Sequence, residues 1–488
     1  MKTNVGLIPL DSRPCNYDWV IALAKMANIN LITMEKNLLG TLHSKLDFTA
    51  IQNFLKNEVN HLDYLICPID SLISGGLIQS RKANYSVEEL DYKIKFLKSL
   101  KTLNPKLKIY AFDTVLRTSI STFDEKTTQY WKLINEFSRY KGQFLRYKNP
   151  SDYEKFQEIS SKIPIDILKT YEIARIKKHE VNKIILDLLK QNKIDFLLLL
   201  QEDSMPNGLQ TLEHDLLEAK IKEGQLATKA WLYNGTDEAS CFILAKIIRE
   251  IRKQDLTYFL LHPNEELLKN PLPFEDRPYI ENLQKMTSIL SMKRTDDFAS
   301  ASFVLAVFQS NNSQKMEVCD REKPLEISFD PDTLAFIDKL NIILKDNIPV
   351  FLLDINAPNG ACYQLLKQID FLKLKGFSGW NTASNATGSL LATALITCDK
   401  HFTNHELCHQ FLLERIIDDC FYQDIVRPKI HQYLHSNLLN IFDFKPSKEL
   451  IQLLQTNLHA LSDPLFPLNY NACFPWNRAF EIKITIEN

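Results

Sequence analysis

AWLYNGTDEASCFILAKIIRE, residues 230–250, decides how the rest of the chain is read. An apolar run, Ala230–Tyr233, stops at Asn234-Gly235, and the polar cluster Thr236-Asp237-Glu238 then opens an apolar-periodic segment ending in Arg249 and Glu250. That pattern predicts a strand, a tight turn and the start of a helix. In parallel α/β proteins the loops after the carboxyl ends of strands face the ligand, so two adjacent carboxylates here point to acid/base or hydroxyl-binding chemistry. Helix capping by Thr236 or Asp237, with Glu238 complementing the helix dipole, accounts for the same residues without any function.

The unit recurs in both directions. Toward the amino end the predicted strands are Val5–Leu10, which runs into Asp11-Ser12-Arg13, and Ile29–Met34. Asp63–Pro68 follows, leading to Asp70 and a loop with Ser74-Gly75-Gly76 and Arg81. Lys108–Phe112 leads to Asp113 and Arg117, and Asp195–Leu200 ends at Gln201-Glu202-Asp203. A charged, largely helical stretch at about 124–191 interrupts this short-loop rhythm and reads as an insertion. Toward the carboxyl end come Leu256–Leu261, a loop holding Asp276-Arg277, Phe303–Phe308, and Val350–Leu353 ending at Asp354. Phe377–Trp380 then leads into Asn381, Asn385 and a small-residue helix, apolar almost all round and predicted to be buried. From about His401 helices dominate, up to an extended Phe480–Ile486 preceded by Trp476-Asn477-Arg478. The expected organisation is a first α/β region over 1–255, a second over 256–400 that completes the site, and a mostly helical cover over 401–488.

About ten strand–helix units exceed the eight of a simple barrel. Two arrangements fit: a (β/α)8-like barrel with added strands, or two facing Rossmann-like sheets. Polar clusters after nearly every strand favour the barrel, which brings all its strand ends to one mouth, whereas an open sheet uses mainly its switch point.

Composition narrows the function classes. The 488 residues carry a net charge of -2 and are 45% hydrophobic, so no global basic excess attracts nucleic acid or anionic lipid. MKTNVGLIPLDSRP reaches charge after a very short apolar run, unlike a secretory signal, and no uncharged apolar run is long enough to span a bilayer. Nine cysteines without a CxxC pair fit reduced thiols, which predicts a cytoplasmic protein. No GxGxxG follows a strand and no GxxxxGK[ST] occurs, so no cofactor is expected. The sequence sets no oligomeric state.

The separated motifs LIPLDSRPCNYD, SGGLIQSR, FLLLLQEDSMPNGL, LYNGTDEAS, FEDRP, GWNTASNATGSLLATAL and FPWNRAFEI together resemble the bacterial family catalogued as domain of unknown function 4127. The resemblance covers nearly the whole chain and implies one family pattern. Its positions are Asp11, Arg13, Gly75, Gly76, Arg81, Glu202, Asp203, Asp237, Glu238, Asp276, Arg277, Trp380, Asn381, Asn385, Trp476, Asn477 and Arg478. Gln201-Glu202-Asp203 departs from it, since two aspartates are more typical there; Thr236 stands where a small residue is usual. The family implies no established activity.

The residue types nevertheless have a chemistry. Acids and amides hydrogen-bond vicinal hydroxyls, an indole face stacks on a sugar ring, and two carboxylates on different strand ends are the parts of a glycosidase. Glu238 is assigned as acid and Asp237 as its orienting partner, with Asp203 and Glu202 as the second carboxylate pair. Gly235–Glu238 is similar to the Asp-Glu pair of hexosaminidases that use the substrate's acetamido group. The expected substrate contacts are Asp11, Arg13, Asp70, Arg81, Asp113, Arg117, Asn234, Asp276, Arg277, Asp354, Trp380, Asn381, Asn385, Trp476 and Arg478, and the expected partner is a small saccharide or sugar derivative. Arginines at four strand ends also allow a phosphosugar-binding protein without catalysis, although pairing of each with a neighbouring Asp would make them structural. His405-Glu406-Leu407-Cys408-His409 matches HExxH, the pattern of a zinc hydrolase. The polar residues before it and the lack of a downstream glutamate argue for a surface helix instead.

Overall fold

The structure, a computed structural model, describes residues 3–122, 125–311, 323–346 and 348–487. The chain divides into two compact units. The first holds Met1–Ile243 with the short loop Phe274–Arg277, and the second holds Leu244–Pro273 with Pro278–Asn488. The division falls within the helix Ala239–Arg252.

The first unit is built on a parallel sheet of β1 (Asn4–Leu7), β2 (Asn30–Thr33), β3 (Tyr64–Pro68), β4 (Lys108–Val115), β5 (Phe196–Gln201) and β6 (Ala230–Asn234). Their order is β2-β1-β3-β4-β5-β6. β5 reads FLLLLQ and is buried at every residue, the mark of a strand covered on both faces. Alternate residues of β4, Ile109, Ala111 and Val115, join Leu197 and Leu199 of β5 in a core filled by helices Val87–Leu103 and Ile165–Lys190. The expected strand Lys108–Phe112 continues to Val115, so Asp113 lies inside β4 and not in the loop after it. A buried lysine, described below, is what permits a carboxylate there. In the insertion, Phe137, Phe156 and Ile163 form a small core of their own.

The second unit repeats the winding. β7 (Leu256–Leu261), β8 (Met292–Thr295), β9 (Phe303–Phe308), β10 (Val350–Asp354) and β11 (Gly376–Ser378) pair in parallel in the order β11-β10-β9-β7-β8. Counted from its own first strand, this is 2-1-3-4-5, the order with which the first unit also begins. β8, MKRT, escapes sequence reading because an edge strand with two exposed residues needs no apolar alternation. The small-residue helix Ala383–Thr397 is buried from Ala383 through Ile396. Helices follow, with a π-helical stretch at Ile417–Val426, and then an antiparallel pair, β12 (Tyr470–Cys473) and β13 (Lys483–Ile486).

Among the described residues no closed barrel is found; the strands pair in two parallel sheets of six and five strands. The physical reason is the crossover order. Placing β1 between β2 and β3, and β7 between β8 and β9, reverses the winding direction, whereas a (β/α)8 barrel adds strands in sequence. Among the described residues no helix is long and apolar enough to cross a membrane.

Candidate functional site

The loops after β1 and β6 meet. Arg13 sends Nη1 and Nη2 to Oδ2 and Oδ1 of Asp237 at 2.9 and 2.6 Å, and Nη2 and Nε to Asp11 Oδ2 at 2.7 and 3.0 Å. Asn16 donates to Asp11 at 3.1 Å and to Asp237 at 3.3 Å. All four side chains are buried. In a flat sheet β1 and β6, four strand spacings apart, would stand about 19 Å from each other. The two loops therefore converge, and Cys241 next to them donates its thiol to Cys15 O at 3.7 Å. Asp237 is thus the bidentate partner of an arginine, with geometry set from both sides.

Glu238 has a different environment. Its Oε2 accepts the Thr236 backbone N–H at 2.7 Å, while Oε1 is buried and meets no partner at hydrogen-bonding distance among the described residues. Burial, and to a smaller degree the neighbouring charge of Asp237, push its carboxyl up to about 8, against the pull of the backbone N–H bonds. The Thr236 hydroxyl donates to Gly235 O. The Glu238 carboxyl folds back over Gly235, which has φ 148°. A Cβ at position 235 would stand 2.2 Å from Glu238 Oε1. Gly235→Ala is therefore expected to cost about 1–3 kcal/mol in urea unfolding, from the backbone conformation and the displaced carboxyl together. Glu238→Ala in the same background should recover part of that loss.

Two more clusters occupy neighbouring strand ends of the first unit. Arg81 holds Glu202 with two nitrogens and Ser121 Oγ at 2.7 Å, while Arg117 holds Asp203. Burial lowers the Arg81 pKa despite Glu202. Behind β3 and β4, Lys178 of the insertion lies between Asp70, at 2.6 Å, and Asp113. Asn182 Nδ2 donates to Asp113 Oδ2 at 2.6 Å, and Thr114 donates its N–H and hydroxyl to Asp70 at 3.0 Å each. Burial raises Asp113 to about 7, opposed by Lys178 and reinforced by Asp70. Asn234 donates to Ser204 Oγ at 2.6 Å, and Arg277 reaches Asp276 at 3.3 Å and His214 Nε2 at 2.7 Å.

In the second unit the expected contacts form two groups. Asp354, at the end of β10, accepts backbone N–H bonds from Asn356 at 3.0 Å and Cys362 at 2.8 Å, closing its own loop. With Asn381, whose φ is 67°, and the start of the helix Ala383–Thr397 it lines a small pocket with a cavity volume of about 10 Å³, room for about one water molecule. Asn385 is in the first turn of that helix and buried. The turn before it is held by Asp419, which accepts from Gly379 N at 2.8 Å and Trp380 N at 3.2 Å. The buried Trp380 ring meets Phe480 edge-on at 5.8 Å. Arg478 lies over the Trp476 ring at 4.6 Å and binds Glu481 through two bonds of 2.8 and 2.7 Å, so that indole face is covered by an arginine.

His405 and His409 are exposed in the first turns of the helix His405–Ile416. Among the described residues no three His, Cys, Asp or Glu side chains are grouped to hold a metal ion. Sequence reading missed Asn16, Lys178, Asn182 and Asp419. Lys178 and Asn182 carry no local signal within the charged run of their helix, whereas Asp418-Asp419, two acids in an otherwise apolar IIDDCFY, was a visible anomaly.

Fold and clusters define an α/β protein of two parallel-sheet units whose ionisable side chains gather at the carboxyl ends of the strands. The chain belongs to the family described as protein of unknown function DUF4127, whose model matches residues 5–485. Neither a curated protein nor a solved structure matches it.

Proposed function

We propose that the protein is a hydrolase that cleaves the glycosidic bond of a small saccharide, with Glu238 as proton donor. One observation carries the reading. Of the four carboxylates after β5 and β6, Glu202, Asp203 and Asp237 are each held by an arginine, whereas Glu238 has no cationic partner among the described residues and is raised to about 8. A carboxyl still protonated at neutral pH is what a general acid requires. Glu238 would pass its proton to the glycosidic oxygen as the bond to the anomeric carbon breaks, with its electrons going to that oxygen. Asp237, fixed by Arg13, orients the loop. With one unpaired acid, attack at the anomeric carbon falls to water or to the substrate's own acetamido oxygen; hence N-acetylhexosaminides head the substrates to try. A cytoplasmic setting fits the eight cysteines that form no disulfide among the described residues.

The test is a panel of aryl glycosides, including N-acetylhexosaminides and glycuronides, with Glu238→Gln as control. Turnover of one member that falls in the control, and falls most for the leaving group that most needs protonation, supports the reading. The three arginine–carboxylate pairs favour a second reading, a sugar or phosphosugar binding protein without catalysis. Absence of turnover throughout, with thermal stabilisation by a saccharide or sugar phosphate, would select it.

A further inference from the structure

The insertion helix Ile165–Lys190 covers β4 and β5 with one side, where Tyr171, Ala174, Lys178, Val181, Asn182 and Ile185 are buried. On the opposite side runs a seam at alternating spacings of three and four residues: Asp166, Lys169, Ile173, Ile176, Glu180 and Lys183. That is the spacing with which one helix packs along another. At its centre Ile173 and Ile176 are 53% and 64% exposed, and Ile165, 70% exposed, flanks them. A lone surface isoleucine needs no explanation, but two adjacent ones on a single stripe, closed off at both ends by charge, do. The borders of the seam are fixed: Lys177 donates to Tyr85 O at 2.8 Å, and Lys141 holds Glu172.

The order of the charges names the occupant. From Asp166 to Lys183 the seam reads acid, base, isoleucine, isoleucine, acid, base, and in the reverse direction every acid is replaced by a base. We propose that this seam docks a second copy of the same chain, in a two-fold antiparallel helix pair. With the axis passing between Ala174 and Arg175, Ile173 meets the partner's Ile176, Lys169 meets the partner's Glu180, and Asp166 meets the partner's Lys183. A parallel pair would set each charge against its own kind, and a partner of one charge sign would meet both signs. In the single chain Lys183 bridges Glu180. Docking gives Glu180 to the partner's Lys169 and frees Lys183 for the partner's Asp166. The seam is about 26 Å long, and a contact through one helix is small for a specific interface. The dimer is therefore expected to be weak, with Kd about ten micromolar or higher. The pairing is independent of any reaction at Glu238.

The experiment is sedimentation velocity of the full-length chain from about 1 to 500 µM, in low and in high salt. Wild type is expected to pass from monomer toward dimer as concentration rises, and to lose part of that shift in high salt. Lys169→Glu or Glu180→Lys puts like charges at two symmetric contacts and should weaken the dimer about tenfold or more. Both side chains are exposed, so the circular dichroism of either variant should match wild type. Both reversals in one chain restore opposite charges across the axis and should restore the dimer. An equimolar mixture of the two single variants should form a heterodimer, because an acidic seam then faces a basic one. A chain that stays monomeric over the whole range overturns the proposal and leaves the seam to a different kind of partner. A dimer that the single reversals leave unchanged also overturns it, by placing the contact on another surface.

Discussion

Glu238→Gln is expected to lower turnover of an unactivated glycoside by about a hundredfold to ten-thousandfold, the range that a positioned general acid contributes. The substitution is nearly isosteric, and its amide can still accept the Thr236 N–H that now binds Oε2. Stability should therefore change little, so that a kinetic loss is a chemical one. The loss should shrink for nitrophenyl leaving groups, which depart without protonation, and remain full for alkyl or sugar leaving groups. The wild-type rate should fall as pH rises through about 8, where the protonated form is lost, and the variant should lose that limb. Initial rates on two leaving groups across pH 6–9 check all three outcomes. Equal losses on both leaving groups would leave Glu238 with no role as acid.

Lys178→Met is expected to be the most damaging substitution for stability in the first unit, at about 3–5 kcal/mol. Its ammonium group is the cation between two fully buried carboxylates, Asp70 and Asp113, and removing it leaves both in a medium that does not solvate charge. The pH dependence has a definite sign. Asp113 is raised from its ordinary value to about 7 in the folded protein, so between about 4 and 7 the folded state binds more protons than the unfolded one. The stability it contributes is fully present below that window and is lost as pH rises through it. Urea unfolding at pH 5 and pH 8 should show this fall in wild type, a steeper one in Lys178→Met, and a shallower one in Asp113→Asn. Partial recovery in the double variant Lys178→Met with Asp113→Asn would confirm that an uncompensated charge, not a lost aliphatic chain, is the cause.

Much of the strand framework was legible because buried parallel strands leave uninterrupted apolar runs. Leu256–Leu261 and Phe303–Phe308 occur over the residues expected, and FLLLLQ differs by one residue at each end. What periodicity does not encode is neighbourhood. Nothing in LIPLDSRP says that β1 lies between β2 and β3, which is the fact that separates an open sheet from a barrel. The candidate site followed the same division. Asp11, Arg13, Asp237 and Glu238 were visible as polar residues after strands, but their unlike roles were not: one carboxylate tied to a guanidinium and the other left with a bare oxygen is a matter of three-dimensional pairing. Lys178 was invisible for the converse reason, since a lysine within RIKKHE reads as a solvated face until the strand it covers is known to contain Asp113.

Residues Phe274–Arg277 belong to the first unit although β7, part of the second, precedes them. Their place is fixed by Ser204 N donating to Phe274 O at 2.9 Å and by Arg277 against His214 at 2.7 Å. During synthesis the amino-terminal half is therefore unfinished when its last strand leaves the ribosome. It waits for about forty more residues, among them a complete strand of its neighbour, before its final loop is delivered. The two halves are linked in time as well as along the chain, and no single peptide bond divides the gene product into two independently finished pieces.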